Sequence, residues 1–485
     1  MFATNTLATR NMKKHFPDFL FIFSLINLVV VLFCIGPIIF LTSCANMIPP
    51  EGGPRDTIPP VLLKVTPVDS SKNFKEKRIT LTFDEYIEVK EIPDNVIVSP
   101  TPVTMPGIDY KLNTVTVRLK DTLEANTTYS INFGKSIRDI NEGNPAKDLT
   151  YIFTTGTSID SLEFTGNVLL AETGKTDTTL IAMLYKNLND SAVVNERPRY
   201  IAKLDGEGNF IFQNLPAGIF KLYALKDEGG SRRYLNTSQL FAFADSAVIV
   251  SSNSKPATLY AYKEKNAPTT TVPAPARSTS KEKRLRFSTN LVNNQQGLLG
   301  NFEMTFDLPI RTYDSTGISF SSDSTFVPVT NYSLQFDSTR RILQLIHPWK
   351  ENTIYNLILN KDFAADTLGQ KLLKSDTITF KTRSRNDYGS VRIRFKNIDL
   401  TRNPVLLAVQ NENVVGSFPL SSQEINQPLI LPGDYELRIL YDENKNGKWD
   451  PGEFFGKHKQ PEHVQPIERR LNVKSGGQSD VEITL

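Results

Sequence analysis

From Pro60 to the C-terminus nearly every patterned stretch alternates apolar and polar residues with a period of two. Arg78-Ile-Thr-Leu-Thr-Phe83, Thr114-Val-Thr-Val-Arg-Leu119, Tyr129-Ser-Ile-Asn-Phe133 and Val391-Arg-Ile-Arg-Phe395 are examples. Successive side chains of a strand point to opposite faces, so this spacing builds one apolar face and one wet face. Asp, Asn, Gly and Pro clusters end the runs before a helix could form. Outside the N-terminal leader no long segment carries a helical stripe. The expected fold class is all-β: tandem antiparallel β-sandwiches, preceded by an N-terminal hydrophobic signal or anchor helix.

The alternation is itself duplicated. Thr82-Phe83-Asp84 corresponds to Thr305-Phe306-Asp307, Asn126-Thr-Thr-Tyr129 to Asn352-Thr-Ile-Tyr355, and Asp139-Ile-Asn-Glu-Gly143 to Asp366-Thr-Leu-Gly369. Tyr151-Ile-Phe-Thr-Thr155 pairs in the same way with Thr377-Ile-Thr-Phe-Lys-Thr382. The regions after each copy are also alike: Phe220-Lys-Leu-Tyr-Ala-Leu-Lys-Asp227 parallels Tyr435-Glu-Leu-Arg-Ile-Leu-Tyr-Asp442, each a strand that ends at an aspartate. An A-B-A-B array follows. The expected divisions are 1–43 (signal peptide), 44–60 (Pro/Gly-rich tether), 61–157 and 285–384 (A sandwiches), and 158–262 and 385–485 (B sandwiches), with a Pro/Thr-rich linker at 263–284.

The leader decides where this array is presented. Arg10, Lys13 and Lys14 precede an almost wholly apolar run from Phe19 to Leu41, which fits a secretory signal. The run also reaches the roughly 20 residues that span a bilayer, so an uncleaved membrane anchor is the alternative. Gly36-Pro37 would disturb a spanning helix near its end. Leu41-Thr42-Ser43-Cys44 looks like the lipobox of bacterial lipoproteins, which implies cleavage and acylation (palmitate-type chains) of Cys44. The next residue is Ala45, not the aspartate that retains many lipoproteins in the inner membrane, so the resemblance implies the outer membrane. Either reading exports the rest of the chain. The only two cysteines are Cys34 and Cys44, so no disulfide or catalytic thiol remains in the exported part. Such a domain array has to be stabilised by its cores, for which 39% apolar and 10% aromatic residues suffice. Between Cys44 and Pro60 the proline-rich tether reaches roughly 3 Å per residue.

The A blocks resemble bacterial Ig-like domains of the S-layer type, through Pro59-Pro60, Pro67, Thr82-Phe83-Asp84, Tyr129, Asp139, Gly143-Asn144 and Phe153-Thr-Thr-Gly156. The second copy lacks the opening Pro-Pro. The B blocks resemble transthyretin-like or carboxypeptidase-regulatory sandwiches, through Gly208-Asn-Phe-Ile-Phe-Gln-Asn-Leu-Pro-Ala-Gly218. With Gly52-Gly53-Pro54 after the lipid cysteine, the whole is similar to Ig-like lipoproteins of Bacteroidetes-type bacteria. The resemblance implies fold far more than function.

Catalytic material is sparse: four histidines (His15, His347, His458, His463) are scattered, and no Gly-x-Ser-x-Gly or His-Glu-x-x-His occurs. Paired carboxylates such as Asp84/Glu85 and Asp139/Glu142 read as turn and edge charges, because Leu308 replaces Glu85 in the second copy. The formal charge of +3 is nearly balanced, and no basic patch interleaved with aromatics suggests nucleic acid. No enzymatic role is expected. The sharpest motif runs from Asp442 to Glu453. Asp442, Asn444, Asn446, the Lys448 carbonyl, Asp450 and Glu453 occupy positions 1, 3, 5, 7, 9 and 12 of an EF-hand-type calcium loop, with Gly447 at the turn. A structural calcium and a bare polar turn both fit. Thr57, Thr122, Ser161, Thr367 and Thr377 follow aspartate and precede an aliphatic residue or threonine, which resembles the O-glycosylation sequon of Bacteroidetes exported proteins. The expected role is a non-enzymatic envelope scaffold, anchored to the membrane and partnered by envelope proteins or glycans. The alternative is glycan or peptide recognition on loops 442–453 and 226–236, where exposed Tyr234 and Trp449 would stack on a ligand.

Overall fold

The computed structural model describes residues 55–264 and 284–485. The leader, Cys44 and most of the linker lie outside the described residues. So do the expected signal or anchor helix and the lipid site. Pro59–Leu485 forms one compact unit. Among the described residues no helix is long and apolar enough to cross a membrane.

Strand is the dominant regular structure of the described chain, and helix is limited to single turns such as Ile92–Asn95. In the first sandwich one sheet runs Leu62–Thr66, Arg78–Phe83, Thr114–Arg118, Gly107–Lys111, and the other Ile97–Ser99, Thr128–Asn132, Thr150–Thr154. Alternation does the work expected of it. Ile79, Leu81 and Phe83 are buried while the residues between them face outward, and they meet Val115, Val117, Ile131 and Phe153 in one core. The same strand order recurs later as Phe287–Thr289, Phe302–Phe306, Ile342–Ile346, Ser333–Phe336, around a core built on Phe302, Phe306, Leu343, Leu357 and Phe380.

The duplicated turn residues hold matching positions. The Asp139 carboxylate is buried and accepts from the backbone N–H groups of Glu142, Gly143 and Asn144 at 2.6–2.9 Å. Asp366, also buried, accepts from Leu368 and Gln370 at 2.9 Å. Gly143 and Gly369 close these turns at φ 78° and 74°, the region where only glycine is comfortable. Burial alone would raise the Asp139 pKa, but the converging N–H donors more than offset it and hold the carboxylate below its ordinary range. Both aspartates thus fasten a turn.

Residues 162–261 and 389–484 share a second topology. A central strand, Leu162–Leu170 or Gly389–Lys396, pairs antiparallel on one side and parallel on the other, with Ala257–Ala261 or Gln478–Thr484. These parallel pairs depart from the purely antiparallel expectation. Period-two spacing reports which face a side chain takes, not which neighbour a strand finds. Here the first long strand of the region pairs with its last, and the intervening strands serve as the crossover that a parallel pair needs. The opposing sheets are Tyr200–Lys203, Leu180–Tyr185, Gly218–Lys226, Phe241–Phe243 in one case and Asn413–Pro419, Pro404–Gln410, Gly433–Tyr441, Val464–Val473 in the other.

Successive sandwiches are joined by specific polar contacts. Arg199 makes a two-pronged pair with Glu124, one prong at 2.6 Å, and the Thr101 N–H donates to the Arg199 carbonyl at 2.8 Å. The hydroxyl of buried Tyr388 accepts from the Leu298 N–H at 2.7 Å.

Candidate functional site

Strand Gly433–Tyr441 delivers Asp442 to the mouth of the loop with its side chain buried. Its two oxygens accept from the N–H groups of Lys445 and Gly447, both at 2.7 Å, and at 3.3 Å from Asn446. The Asn444 and Asn446 amides both donate to Asp450 Oδ2 at 2.6 Å. Asn446 Oδ1 accepts from the Lys448 N–H at 2.6 Å. Four of the six residues expected at this site, Asp442, Asn444, Asn446 and Asp450, are therefore drawn into one hydrogen-bonded knot, with Lys448 tied to it through its N–H.

Glu453 stands apart from that knot. Its carboxylate pairs with Lys457 at 2.9 Å, and its backbone pairs in both directions with Lys459 at 2.8 Å. The acidic group that faces the loop is Glu462, which the spacing argument missed. Glu462 is buried and accepts from the Glu443 N–H at 2.9 Å and the Asp450 N–H at 3.0 Å. Burial raises its pKa, its two backbone donors work against that, and the charges of Asp442 and Asp450 push it further up. The only hint in the sequence is Pro461-Glu462, a carboxylate fixed just before the returning strand Val464–Val473. Among the described residues no set of three or more histidine, cysteine or carboxylate groups is gathered closely enough to hold a metal ion.

Beyond the knot the segment crosses to the neighbouring B sandwich. Phe454 is buried among Tyr223, Phe241 and Phe243, with ring centroids at 5.6, 5.1 and 5.0 Å. Its N–H donates to Glu264 Oε1 at 3.2 Å, the same oxygen that the Tyr234 hydroxyl reaches at 3.2 Å. Gln460 donates to the Phe243 carbonyl at 2.9 Å, and the Val464 N–H to the Ala171 carbonyl at 2.8 Å. Gly452 sits where a Cβ would come within 2.7 Å of both the Lys459 carbonyl and the Tyr262 ring. Lys175 adds ion pairs to Glu412 at 2.8 Å and Glu436 at 3.3 Å. Two sandwiches more than a hundred residues apart in sequence are thereby packed against each other.

This packing corrects the expectation of exposed stacking rings. Tyr234 is only 2% exposed and lies parallel to Phe241 at 4.1 Å. Trp449 is half-buried, with its indole N–H donating to the Glu462 carbonyl at 2.6 Å. Tyr234 is enclosed because residues distant in sequence close over it, while Trp449 keeps part of its ring exposed. Thr57, Thr122, Ser161, Thr367 and Thr377 are all exposed. Cys44 lies outside the described residues.

One family comparison bears on the first sandwich. Residues 56–155 match the family described as bacterial Ig-like domain. No curated protein matches the chain. Among solved structures, the Bacillus anthracis TIE protein is 11% identical, covering 90% of this chain and 75% of that one, with a TM-score of 0.16. The native alpha-2-macroglobulin of Escherichia coli, in a structure spanning domains MG0-NIE-MG1, is 12% identical over 38% of this chain and 71% of its own, at a TM-score of 0.19. The major pilin subunit of Bacillus cereus is 9% identical over 67% of this chain and 98% of its own, at 0.16. Likenesses at these scores carry no argument here. The region that matches the bacterial Ig-like domain family is the two-sheet sandwich at the start of the described chain.

Proposed function

We propose that the protein is a non-enzymatic module of the cell envelope, anchored through acylated Cys44 and presenting a braced array of β-sandwiches as an interaction or scaffold surface. The observation that carries this reading is the use made of its most polar segment. Between Asp442 and Val464, Asp442, Glu462, Trp449 and Phe454 are all engaged in holding the loop and in joining one sandwich to another. A segment spent in holding two sandwiches together supports a structural role over a ligand-reading one. The leader and lipobox support outer-membrane placement. The partners would be envelope proteins or glycans.

Surface proteolysis of intact cells, with mass spectrometry of the N-terminal peptide, tests the placement. An acylated peptide starting at Cys44 is expected, and an intact leader would replace the lipoprotein by a single-pass anchor. Pull-down from detergent-solubilised envelope should recover stable protein partners. Binding of the protein to a glycan array, with no protein partner recovered, would favour recognition instead.

A structural calcium on Asp442, Asn444, Asn446, the Lys448 carbonyl, Asp450 and Glu453 is proposed alongside, and it would require the carboxylates to draw closer together than they stand here. Oxygen donors of this kind suit a hard cation. Titration with calcium up to about 1 mM, the weak end of such loops, should raise the melting temperature and change Trp449 fluorescence. The absence of both responses would leave a bare turn. O-glycosylation of the five exposed hydroxyls is proposed alongside, and the intact mass of the native protein decides it.

A further inference from the structure

Among the described residues, one end of the first sandwich presents several exposed apolar side chains. Val61 and Asp84 are joined there, the Val61 N–H to the Asp84 carboxylate at 2.8 Å and the Asp84 N–H to the Val61 carbonyl at 3.1 Å. The Phe83 N–H donates to the Asn113 carbonyl at 2.8 Å, Ile87 to Leu112 at 3.0 Å, and Ile140 to Tyr86 at 3.2 Å. These bonds gather the start of strand Leu62–Thr66, the turn before Ile87, the Leu112-Asn113 hairpin turn and Ile140 into one tip. Tyr86 is 61% exposed, Leu112 60%, Ile140 53% and Tyr110 48%.

Leu112 is the most telling of the four. It holds φ at 55°, the left-handed region, which strains a residue other than glycine or asparagine. Its side chain enters no core in return. The next sandwich attaches through Glu124 and Thr101, beyond the opposite end of strand Thr114–Arg118, and through Lys203, which donates to the Asp94 carbonyl; Tyr86, Tyr110, Leu112 and Ile140 take no part in these bonds. The tip thus stays clear of that joint, and it is the end through which the chain enters the sandwich.

We infer that this tip docks on a lipid bilayer. Leu112 and Ile140 enter the acyl boundary, and Tyr86 and Tyr110 settle at headgroup depth, where amphipathic rings are favoured. The inference rests on the lipid-anchor reading above. Residues 45–58 separate Cys44 from Pro59, so a fully extended tether spans at most about 50 Å. That tether joins the sandwich at the apolar end, which keeps the tip close to the headgroups. Held at so high an effective concentration, a small apolar surface is enough for docking. Asp84, Glu85 and Glu142 outnumber Lys111 in these turns, so anionic lipid would repel the tip, and docking favours zwitterionic lipid.

The test uses the full-length chain, extracted from membranes and reconstituted into phosphatidylethanolamine/phosphatidylcholine vesicles. An environment-sensitive probe is placed at Lys111→Cys or, as control, at Val103→Cys, an 85% exposed site in the 100–104 loop beside the joint. Signal from the chain without an added cysteine is subtracted. Bilayer-embedded spin-labelled lipid should quench the probe at 111 severalfold more than the one at 103, and equal quenching overturns the inference. The mass of the N-terminal peptide separates the two readings. Acylated Cys44 with an unquenched 111 probe sinks docking alone, and unmodified Cys44 with a quenched 111 probe sinks the lipoprotein alone. Leu112→Gly should keep or raise the unfolding midpoint, because it relieves the backbone, while weakening the quenching at 111. A lowered midpoint would assign Leu112 to packing and overturn the inference. Crosslinking of the tip to a protein in cells, without lipid quenching, would overturn it as well.

Discussion

The two B sandwiches end the same strand in the same way and then diverge. Strand Gly218–Lys226 stops at Asp227, whose carboxylate accepts from the Arg232 N–H at 3.0 Å and closes a short return. Strand Gly433–Tyr441 stops at Asp442, which likewise caps the backbone behind it, but the chain then travels to Val464 before resuming a strand. The aspartate is the shared device for leaving the sheet. The excursion is what differs, and it carries Phe454 into the first B sandwich. Capping can therefore be repeated in every copy, while the brace between sandwiches is written into only one of them.

Four substitutions would break or sharpen this contrast, and Phe454→Ala should do most. Truncating a buried phenylalanine costs about 3–5 kcal/mol, and here the loss falls on the brace. Denaturant unfolding should show the midpoint falling, with the 162–261 region becoming more accessible to protease. Gly452→Ala comes next, at about 1–3 kcal/mol, because its methyl group would meet the Lys459 carbonyl and the Tyr262 ring.

Glu462→Gln removes one acceptor from the two N–H groups it serves, a loss of about 1 kcal/mol. It also changes the pH response. Since the folded pKa of Glu462 lies above its unfolded value, the folded state binds the proton more readily. The stability due to this group is present below the unfolded carboxyl pKa and is lost as pH rises through the folded one. The variant should show a flatter stability curve across that window, and an unchanged slope would mean that Glu462 is ionised in a neutral environment. Asp227→Ala should cost least, at about 0.5–1 kcal/mol, since it removes a single backbone hydrogen bond from a short turn. An Asp227→Ala effect as large as that of Phe454→Ala would erase the distinction between a capping turn and a brace.

Much of the fold could be read from local spacing. The alternation in Arg78–Phe83 assigned its buried face correctly, and the matched Asp139 and Asp366 turns were visible as a repeat because their hydrogen bonds reach only two to five residues along the chain. The donor residues near Asp442 were legible for the same reason. Glu462 was not, because its place beside Asp442 depends on how the 450–463 excursion folds back. Tyr234 illustrates the error most clearly. In sequence it stands in a polar turn, yet Phe241 and Phe454 enclose it, and the second of these comes from the other end of the chain.

The sequence by itself determined the all-β class, the duplicated turns and the apolar faces, since each follows from the period of a strand or from a side chain capping its own backbone. The tertiary structure decided which strands pair in parallel, which carboxylate faces the Asp442 loop, and that the two B sandwiches lock together through Phe454. Those outcomes depend on burial between segments far apart in the chain. Burial is a property of the whole packing, and no local pattern encodes it.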